Sequence, residues 1–453
     1  MGVNKSISLR ALISGASEPS RTFAAVRTLE VELSEPLASV SGESEAGPAQ
    51  YSAARVLVRL HHHPIGFVEV AIPDGLMSPS ELEQRIWDAL GPAILTHLTE
   101  DGSLKTAEDH RPELPIAGHC EMNGERPDWF PFVSVVICTV SRPRQLRNAL
   151  DALLRLEYPN FEIVVVDNAP EDTSTANMIR DQFSGQSKLR YEAEPLRGLS
   201  AARNRAINVA KGEILAFTDD DIIVDRFWLS SLVSGFDVEG KVACVTGLTL
   251  ASELESSAQS MFERYGAFNK GYESRLFKRD VNPASTILYP YTAGVFGGGG
   301  NSALRLACFP EGLRFDQRLG PGSMAFGAED LDIFLETILK GRYIRYVPRA
   351  IAWHEHRRSY QDLRWQLFTY GAGFTALMTK WSLKDFRIAT DLLRLAPKAI
   401  FSSLRPGTAR EGGSHHLPGD LRRVEVLGYF YGPIAYARSV LRLRSQANPK
   451  EPK

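Results

Sequence analysis

Apolar runs of strand length recur through the middle of the chain, each followed by apolar positions at helical spacing. Residues 133–138 are almost wholly apolar, and Leu146, Leu150, Leu153 and Leu154 then mark one face of a helix. Residues 161–168 form a second run ending in Asp167-Asn168, with a helix expected near 175–183. A short strand is expected at 189–192, and residues 198–206 open a helix with Ser200 as its cap. Residues 214–217 predict another buried strand, and 242–250 and 343–348 two more. Strands apolar throughout and alternating with helices indicate an α/β fold with a mostly parallel, Rossmann-like sheet covered on both faces.

The flanks read differently. Residues 22–33 predict a strand, 34–50 a mobile loop, and 55–60 with 66–72 a hairpin around His61-His62-His63-Pro64. Ser78, Pro79 and Glu81 form a helix start with a capping box, and Leu82, Ile86, Leu90, Ile94 and Leu98 supply its apolar face. Residues 1–125 therefore read as a small α+β module, with a polar, Pro-containing linker at 101–131. The main domain is placed at 131–377, and 378–453 as a helical region mixing apolar, aromatic and basic residues. Such helices either lie on a membrane surface or cap the core. Three neighbouring histidines in one turn do not all converge on a point, so a structural or solvated role is expected for them.

Composition narrows the function. The chain has 453 residues, 43% hydrophobic and 23% charged, with a formal net charge of -2. That balance gives no basic field for nucleic acid. Cys120, Cys138, Cys244 and Cys308 lie far apart, without zinc-ligand or disulfide spacing, and suit a reducing cytoplasm. No signal peptide is evident, the Met1-Gly2…Ser6 acylation pattern is read as coincidence, and no run approaches the roughly 20 apolar residues of a membrane span.

The candidate chemistry gathers at strand ends. Residues 214–217 run straight into Asp219-Asp220-Asp221. Adjacent carboxylates repel unless a cation sits among them, and a hard divalent ion shared with substrate phosphates is one such cation; a solvated acidic turn is the plain alternative. Asp167 also ends a strand, where ligands of parallel sheets collect, although it could equally cap a helix. Gly297 to Gly300 allow close backbone approach. Glu329-Asp330 open a helix, where acids also suit the helix dipole.

Taken together, residues 134–139, 164–168, 198–204 and 217–221, then Gly297 to Asn301 and Glu329-Asp330, resemble family 2 glycosyltransferases of the GT-A fold over roughly 133–377. The resemblance implies an inverting enzyme moving a sugar from a nucleotide donor (a UDP-, GDP- or dTDP-sugar) to a hydroxyl of a glycan, lipid-linked or small-molecule acceptor. It extends to cell-envelope polysaccharide synthesis and a cytoplasmic setting, with no nucleic-acid partner. It implies donor contacts from Thr139, Asp167, Arg203, Asp219, Asp220, Gly299, Gly300 and Asn301. Asp219, Asp221 and His354 would hold Mn²⁺ or Mg²⁺, with His356 on the same side. Asp330 would be the general base and Glu329 an acceptor contact. One departure is Ala206, where the family often has glycine. Gln361-Asp362-Leu363-Arg364-Trp365 matches a signature of membrane-embedded polysaccharide synthases, but without spans it reads as a helix face, with Arg364 near the donor diphosphate as the alternative. Competing functions are a catalytically silent sugar-nucleotide-binding module and a nucleotidyltransferase, whose glycine-rich loop is missing from residues 139–144.

Overall fold

The predicted hairpin is the centre of the N-terminal part. In the computed structural model β1 (Arg27–Glu32), β2 (Val40–Ser41), β3 (Glu43–Ser44), β4 (Gly47–Gln50), β5 (Ala53–Leu60), β6 (His63–Ala71) and β7 (Leu76–Met77) precede helix α1 (Pro79–Glu100). The described residues are 23–447 apart from 45–46, 73, 105–111, 117–128, 237–239, 267 and 405–417, together with 9–11, 13 and 15. Much of the expected linker, Cys120 and the Met1-Gly2…Ser6 pattern lie outside them.

β5 and β6 pair antiparallel, and β1 joins β5 in parallel. The stretch expected to be a loop contains short paired strands instead, β2 with β7 and β3 with β4. Gly42 ties them down, donating its N–H to Gly75 and accepting from Tyr51 N–H. Such two-residue pairings leave no alternating pattern to read. Ser78 and Glu81 form the expected capping box on α1. Leu82, Ile86, Ile94 and Leu98 bury against Val56, Val58, Leu60 and Val70.

Among the described residues the main sheet has nine strands. In chain order the elements are β8 (Val133–Thr139), α2 (Pro143–Leu153), β9 (Phe161–Asn168), α3 (Ser174–Phe183), β10 (Leu189–Glu194), α4 (Leu199–Val209), β11 (Ile214–Asp219), β12 (Ile222–Val224), α5 (Trp228–Ser234), β13 (Val242–Ala251), α6 (Ser257–Arg264), β14 (Arg275–Phe277), β15 (Asn301–Arg305), α7 (Glu329–Leu339) and β16 (Tyr343–His354). The spatial order is β10-β9-β8-β11-β15-β13-β16-β12, with β14 beside β16. β8 through β11 are parallel neighbours, as the apolar runs predict. β15 enters antiparallel between β11 and β13. β16 runs on past Pro348 to His354, with a register irregularity opposite Gly247 and Leu248. Two apolar cores cover the sheet, one around Phe217, Leu248, Phe296 and Phe334, the other around Val135, Ile163, Trp228 and Val245.

After the sheet come α8 (Tyr360–Lys384), α9 (Phe386–Leu404) and α10 (Gly419–Ala447). Arg364 is not free to reach a diphosphate: it donates to Ile13 O and Asp420 Oδ2. Among the described residues no helix is long and apolar enough to cross a membrane. The N-terminal part docks on the main sheet through Arg59–Asp225 at 2.8 Å, Arg55–Glu263 at 3.3 Å and Tyr51–Glu255 at 2.9 Å.

Candidate active site

Parallel register sets the first residues of the site. Thr139 lies opposite Asp167, and Asp219 opposite Cys138, at the carboxyl edge of β8, β9 and β11. The three successive acids then diverge. Asp219 faces Arg203, Oδ1 to guanidinium 3.4 Å. Asp220 points inward, accepting from the Thr139 hydroxyl at 2.7 Å and from Arg142 at 3.2 Å. Asp221 faces His354 Nε2 at 3.7 Å and Arg142 at 3.3 Å. The last contact follows from pairing: β12 sets Ile222 opposite His354, so Asp221, one residue earlier, meets its ring.

The cations among the acids are thus two arginines. Arg142, which no spacing along the chain singles out, bridges Asp220 and Asp221. Arg203 is buried between Asp219 and Glu329 Oε1, the latter at 3.0 Å, with Phe217 and Phe315 beside its guanidinium. Arg203 is therefore an internal strut of the site, where the resemblance places it against donor base or phosphates. Desolvation raises the Asp219 carboxyl against the pull of Arg203, with Asp221, Asp220 and Asp330 adding to the rise. Desolvation also raises buried Glu329, helped by Asp330.

The glycines serve the carboxylates directly. A Cβ on Gly299 would stand 2.6 Å from Asp330 Cβ, and one on Gly300 would stand 2.3 Å from Asp219 Oδ2. Gly299 N–H donates to Asp330 Oδ2 at 2.8 Å, and Leu331 N–H to Asp330 Oδ1 at 2.8 Å. Backbone at 299–300 is wedged between the acid that ends β11 and the acid that opens α7. Asn301 is turned away. It is 1% exposed, donates to Leu248 O and Ala350 O, and accepts from Trp228 Nε1, tying β15 to β13 and β16.

Ser200 is not the cap of α4. Gly198 occupies that position without a side-chain bond, and the Ser200 hydroxyl donates to Leu319 O. Asn168 fixes this loop, its Oδ1 accepting Gly198 N–H at 2.8 Å. Asp167 accepts from the Tyr191 hydroxyl at 3.0 Å; its Oδ1 is buried without a hydrogen bond of normal geometry, Thr175 lying beside it. Burial raises this carboxyl. The signal for Tyr191 and Arg142 exists only across strands, so sequence spacing does not carry it.

Behind His354 lies a buried chain. His354 Nδ1 is 2.9 Å from His356 Nδ1, and His356 Nε2 is 3.0 Å from Glu263 Oε2. Burial lowers His354 to about 4, His356 and Arg357 acting the same way against Asp221, so its imidazole is neutral near pH 7. A neutral imidazole beside a carboxylate is a ligand pair for Mn²⁺ or Mg²⁺, and such ions leave their remaining positions to water and substrate phosphates. The donor set at Asp221 and His354 fits such an ion. Asp219 stands on the Arg203 side. A cleft of about 520 Å³ opens onto Asp220 and Asp221, lined also by Arg144, Asn148, Trp353 and Arg358.

Residues 134–296 match the model of glycosyl transferase family 2. The chain is 27% identical over 289 residues to a pre-mycofactocin glycosyltransferase of Mycobacterium tuberculosis, covering 62% of this chain and 55% of that protein. It is 34% identical over 155 residues to glycosyltransferase AglE of Haloferax volcanii, covering 33% and 50%. The chain spans about half the length of these relatives. Among solved structures, the mannosyltransferase PcManGT of Pyrobaculum calidifontis, in complex with GDP-Man and Mn²⁺, aligns with a TM-score of 0.41 at 16% identity over 81% of this chain and 86% of that one.

Proposed function

Through residues 134–296 the chain belongs to glycosyl transferase family 2, and from that premise we propose that it transfers a sugar from a nucleoside-diphosphate donor to an acceptor hydroxyl with inversion. The observation that carries the reading is the placing of Asp330 and Asp219 on either side of Gly299-Gly300, with Asp221, in the turn after β11, facing His354 at the end of β16. One carboxylate is thereby available for proton transfer, and another group of ligands for a diphosphate-bound cation.

Asp221 and His354 are the residues that would hold Mn²⁺ or Mg²⁺, with Asp219 and Asp220 completing the acidic wall. Bound there, the ion would offset charge on the leaving diphosphate. Asp167, Tyr191 and Thr139 would face the base side of the donor. Asp330 would take the acceptor proton, held in place by Gly299 N–H and Leu331 N–H. Glu329 and Arg203 would keep Asp219 oriented. Residues 131–377 form the transfer domain in this reading, and 1–125 an accessory module that braces it through Arg55 and Arg59.

The reading extends to a membrane-surface contact. Leu427, Phe430, Ile434 and Leu441 of α10 are 53%, 76%, 52% and 64% exposed. At about 100° per residue they share one stripe. Exposed Phe386 and Leu393 repeat the pattern on α9, with Arg387 and Arg394 beside them. A lipid-linked acceptor fits such a face.

The test is a panel of nucleotide sugars assayed for Mn²⁺- or Mg²⁺-dependent release of nucleoside diphosphate, with Asp221→Ala as control. Turnover of one donor, lost in that variant, is expected. Donor binding without turnover on any acceptor would favour the silent binding module instead.

A further inference from the structure

The N-terminal hairpin and α1 hold a second set of ligand-type side chains, none of which lines the cleft. The turn between β5 and β6 has positive φ at both His61 (52°) and His62 (66°). Glu32 holds it there by accepting both backbone N–H groups at 2.9 Å. This turn aims His61 at the last turn of α1. His61 Nδ1 stands 3.0 Å from Asp101 Oδ2, and His97 Nε2 stands 3.6 Å from the same oxygen. One ligand atom from each residue falls within 4.8 Å of the other two. His61, His97 and Asp101 are 3%, 8% and 5% exposed.

A hydrogen bond between His61 and Asp101 accounts for those two groups but not for His97. Its Nε2 is buried and has no hydrogen-bond partner. His63 presents the same situation: its ring lies 5.0 Å from that of His97, and its Nε2 is also buried without a partner. Buried nitrogens are ordinarily satisfied, and an orphan His97 nitrogen 3.6 Å from the Asp101 carboxylate suggests a missing shared partner. Asp101 is already oriented for it, because its Oδ1 accepts Ser103 N–H at 2.9 Å and leaves Oδ2 to the cluster.

We propose that His61 Nδ1, His97 Nε2 and Asp101 Oδ2 form a structural zinc site, with the fourth position open to water. Ligands at 2.0–2.1 Å from a tetrahedral zinc stand roughly 3.4 Å apart, and the two spacings to Asp101 bracket that value. His97 and Asp101 share a helix face by their i, i+4 spacing, so one helical turn and one hairpin turn supply the whole set. Arg59 and Arg349 also face these histidines. The ion is therefore held by imidazole and carboxylate bonds and not by an excess of negative charge, which selects zinc over Mg²⁺ or Mn²⁺. Bound there, it would clamp the hairpin to α1.

The full chain, stripped with chelator and dialysed against micromolar Zn²⁺ in excess Mg²⁺, tests this by metal analysis. The parent and Asp221→Ala should each retain one equivalent of zinc, and His97→Gln and Asp101→Asn should lose it. Co²⁺ added to the stripped parent should give the visible absorption of a four-coordinate ion, and zinc should raise the parent's thermal midpoint but not that of His97→Gln. Zinc retained by His97→Gln, or lost in Asp221→Ala, would overturn the assignment. So would a parent that gives no visible Co²⁺ spectrum, a result that holds even if the variants fold poorly. Because none of these residues enters the transfer site, failure here leaves the glycosyltransferase reading untouched.

Discussion

His354 Nδ1 lies 2.9 Å from His356 Nδ1 in a buried pocket beside Asp221. Two ring nitrogens facing each other need one proton between them, and the network assigns it. Glu263 stays ionised against the cost of burial because His356 and Arg55 hold its charge. As an acceptor only, it fixes the proton of His356 on Nε2. His354 then donates from Nδ1, and its Nε2 lone pair faces Asp221. The chain from Arg55 through Glu263 and His356 thus orients the proposed metal ligand from the N-terminal part of the molecule.

His356→Phe keeps the shape of that pocket and removes the acceptor for His354. On the proposed function, Mn²⁺ affinity falls roughly 10–100-fold while donor binding without metal changes little. Mn²⁺ titration of turnover checks it, and an unchanged Mn²⁺ dependence in a folded variant would show that the pair does not orient a ligand.

Gly299→Ala tests the wedge between Asp219 and Asp330. The new Cβ would stand 2.6 Å from Asp330 Cβ, so either α7 or the glycine backbone must shift. A displacement of about 1 Å at a reacting group costs on the order of 10²-fold in rate. The expected result is a fall in kcat of that size with donor affinity retained. Wild-type kcat would mean that Asp330 tolerates displacement and is not the base.

Asp330→Asn removes the base at nearly constant size, although its one amide oxygen can accept only one of the Gly299 and Leu331 N–H groups that the carboxylate accepts. Transfer should drop by about 10²–10⁴-fold, with nucleotide binding near that of the parent by calorimetry. Turnover equal to the parent's rules out the assignment.

The sequence made the strand ends legible because buried parallel strands are apolar throughout and stop at their functional residues; Asp167 and Asp219 to Asp221 were visible for that reason. Cross-strand partners were not. Arg142 was passed over, and Asn301 looked like a ligand residue because it follows four glycines, yet its side chain ties three strands and Trp228 together in the core. Arg203 sits at the start of a helix where a phosphate contact is plausible, but Glu329, 126 positions away, claims it. The His61 cluster escaped for the same reason: His62 turns away to Phe227, and His61 and His63 meet His97, a whole helix further along the chain, with Asp101 beside it.

Away from the site, Asp316 gives a pH-dependent contribution to stability. Against the cost of burial, Arg318 and Lys380 pull its carboxyl down to about 2, with Lys380 Nζ at 2.9 Å. A depressed folded-state value stabilises above the unfolded pKa of about 3.9 and is lost as pH falls towards 2. At ~1.4 kcal/mol per unit, the contribution at neutral pH is about 2–3 kcal/mol. Asp316→Asn should be less stable than the parent by about that amount at pH 6 in urea, with the gap narrowing below pH 4. A gap independent of pH would show that packing, not charge, sets the difference.

The exposed stripe of α10 can face either a bilayer or another protein surface, and the two differ in what they require. Phe430 and Ile434 are large apolar side chains 76% and 52% exposed, on a helix too polar to span a membrane. Burying such a side chain contributes about 1.5–3 kcal/mol, so replacing both with serine should lower partitioning into anionic vesicles by tenfold or more. The basic residues around the stripe add a salt-sensitive part: raising salt should weaken binding of the parent further, since charges near an anionic surface act within about a Debye length. Sedimentation with vesicles measures both effects. If the parent stays in the supernatant with vesicles but runs as a dimer that Phe430→Ser/Ile434→Ser converts to monomer, the stripe is a contact between copies, and a lipid-linked acceptor loses its structural support.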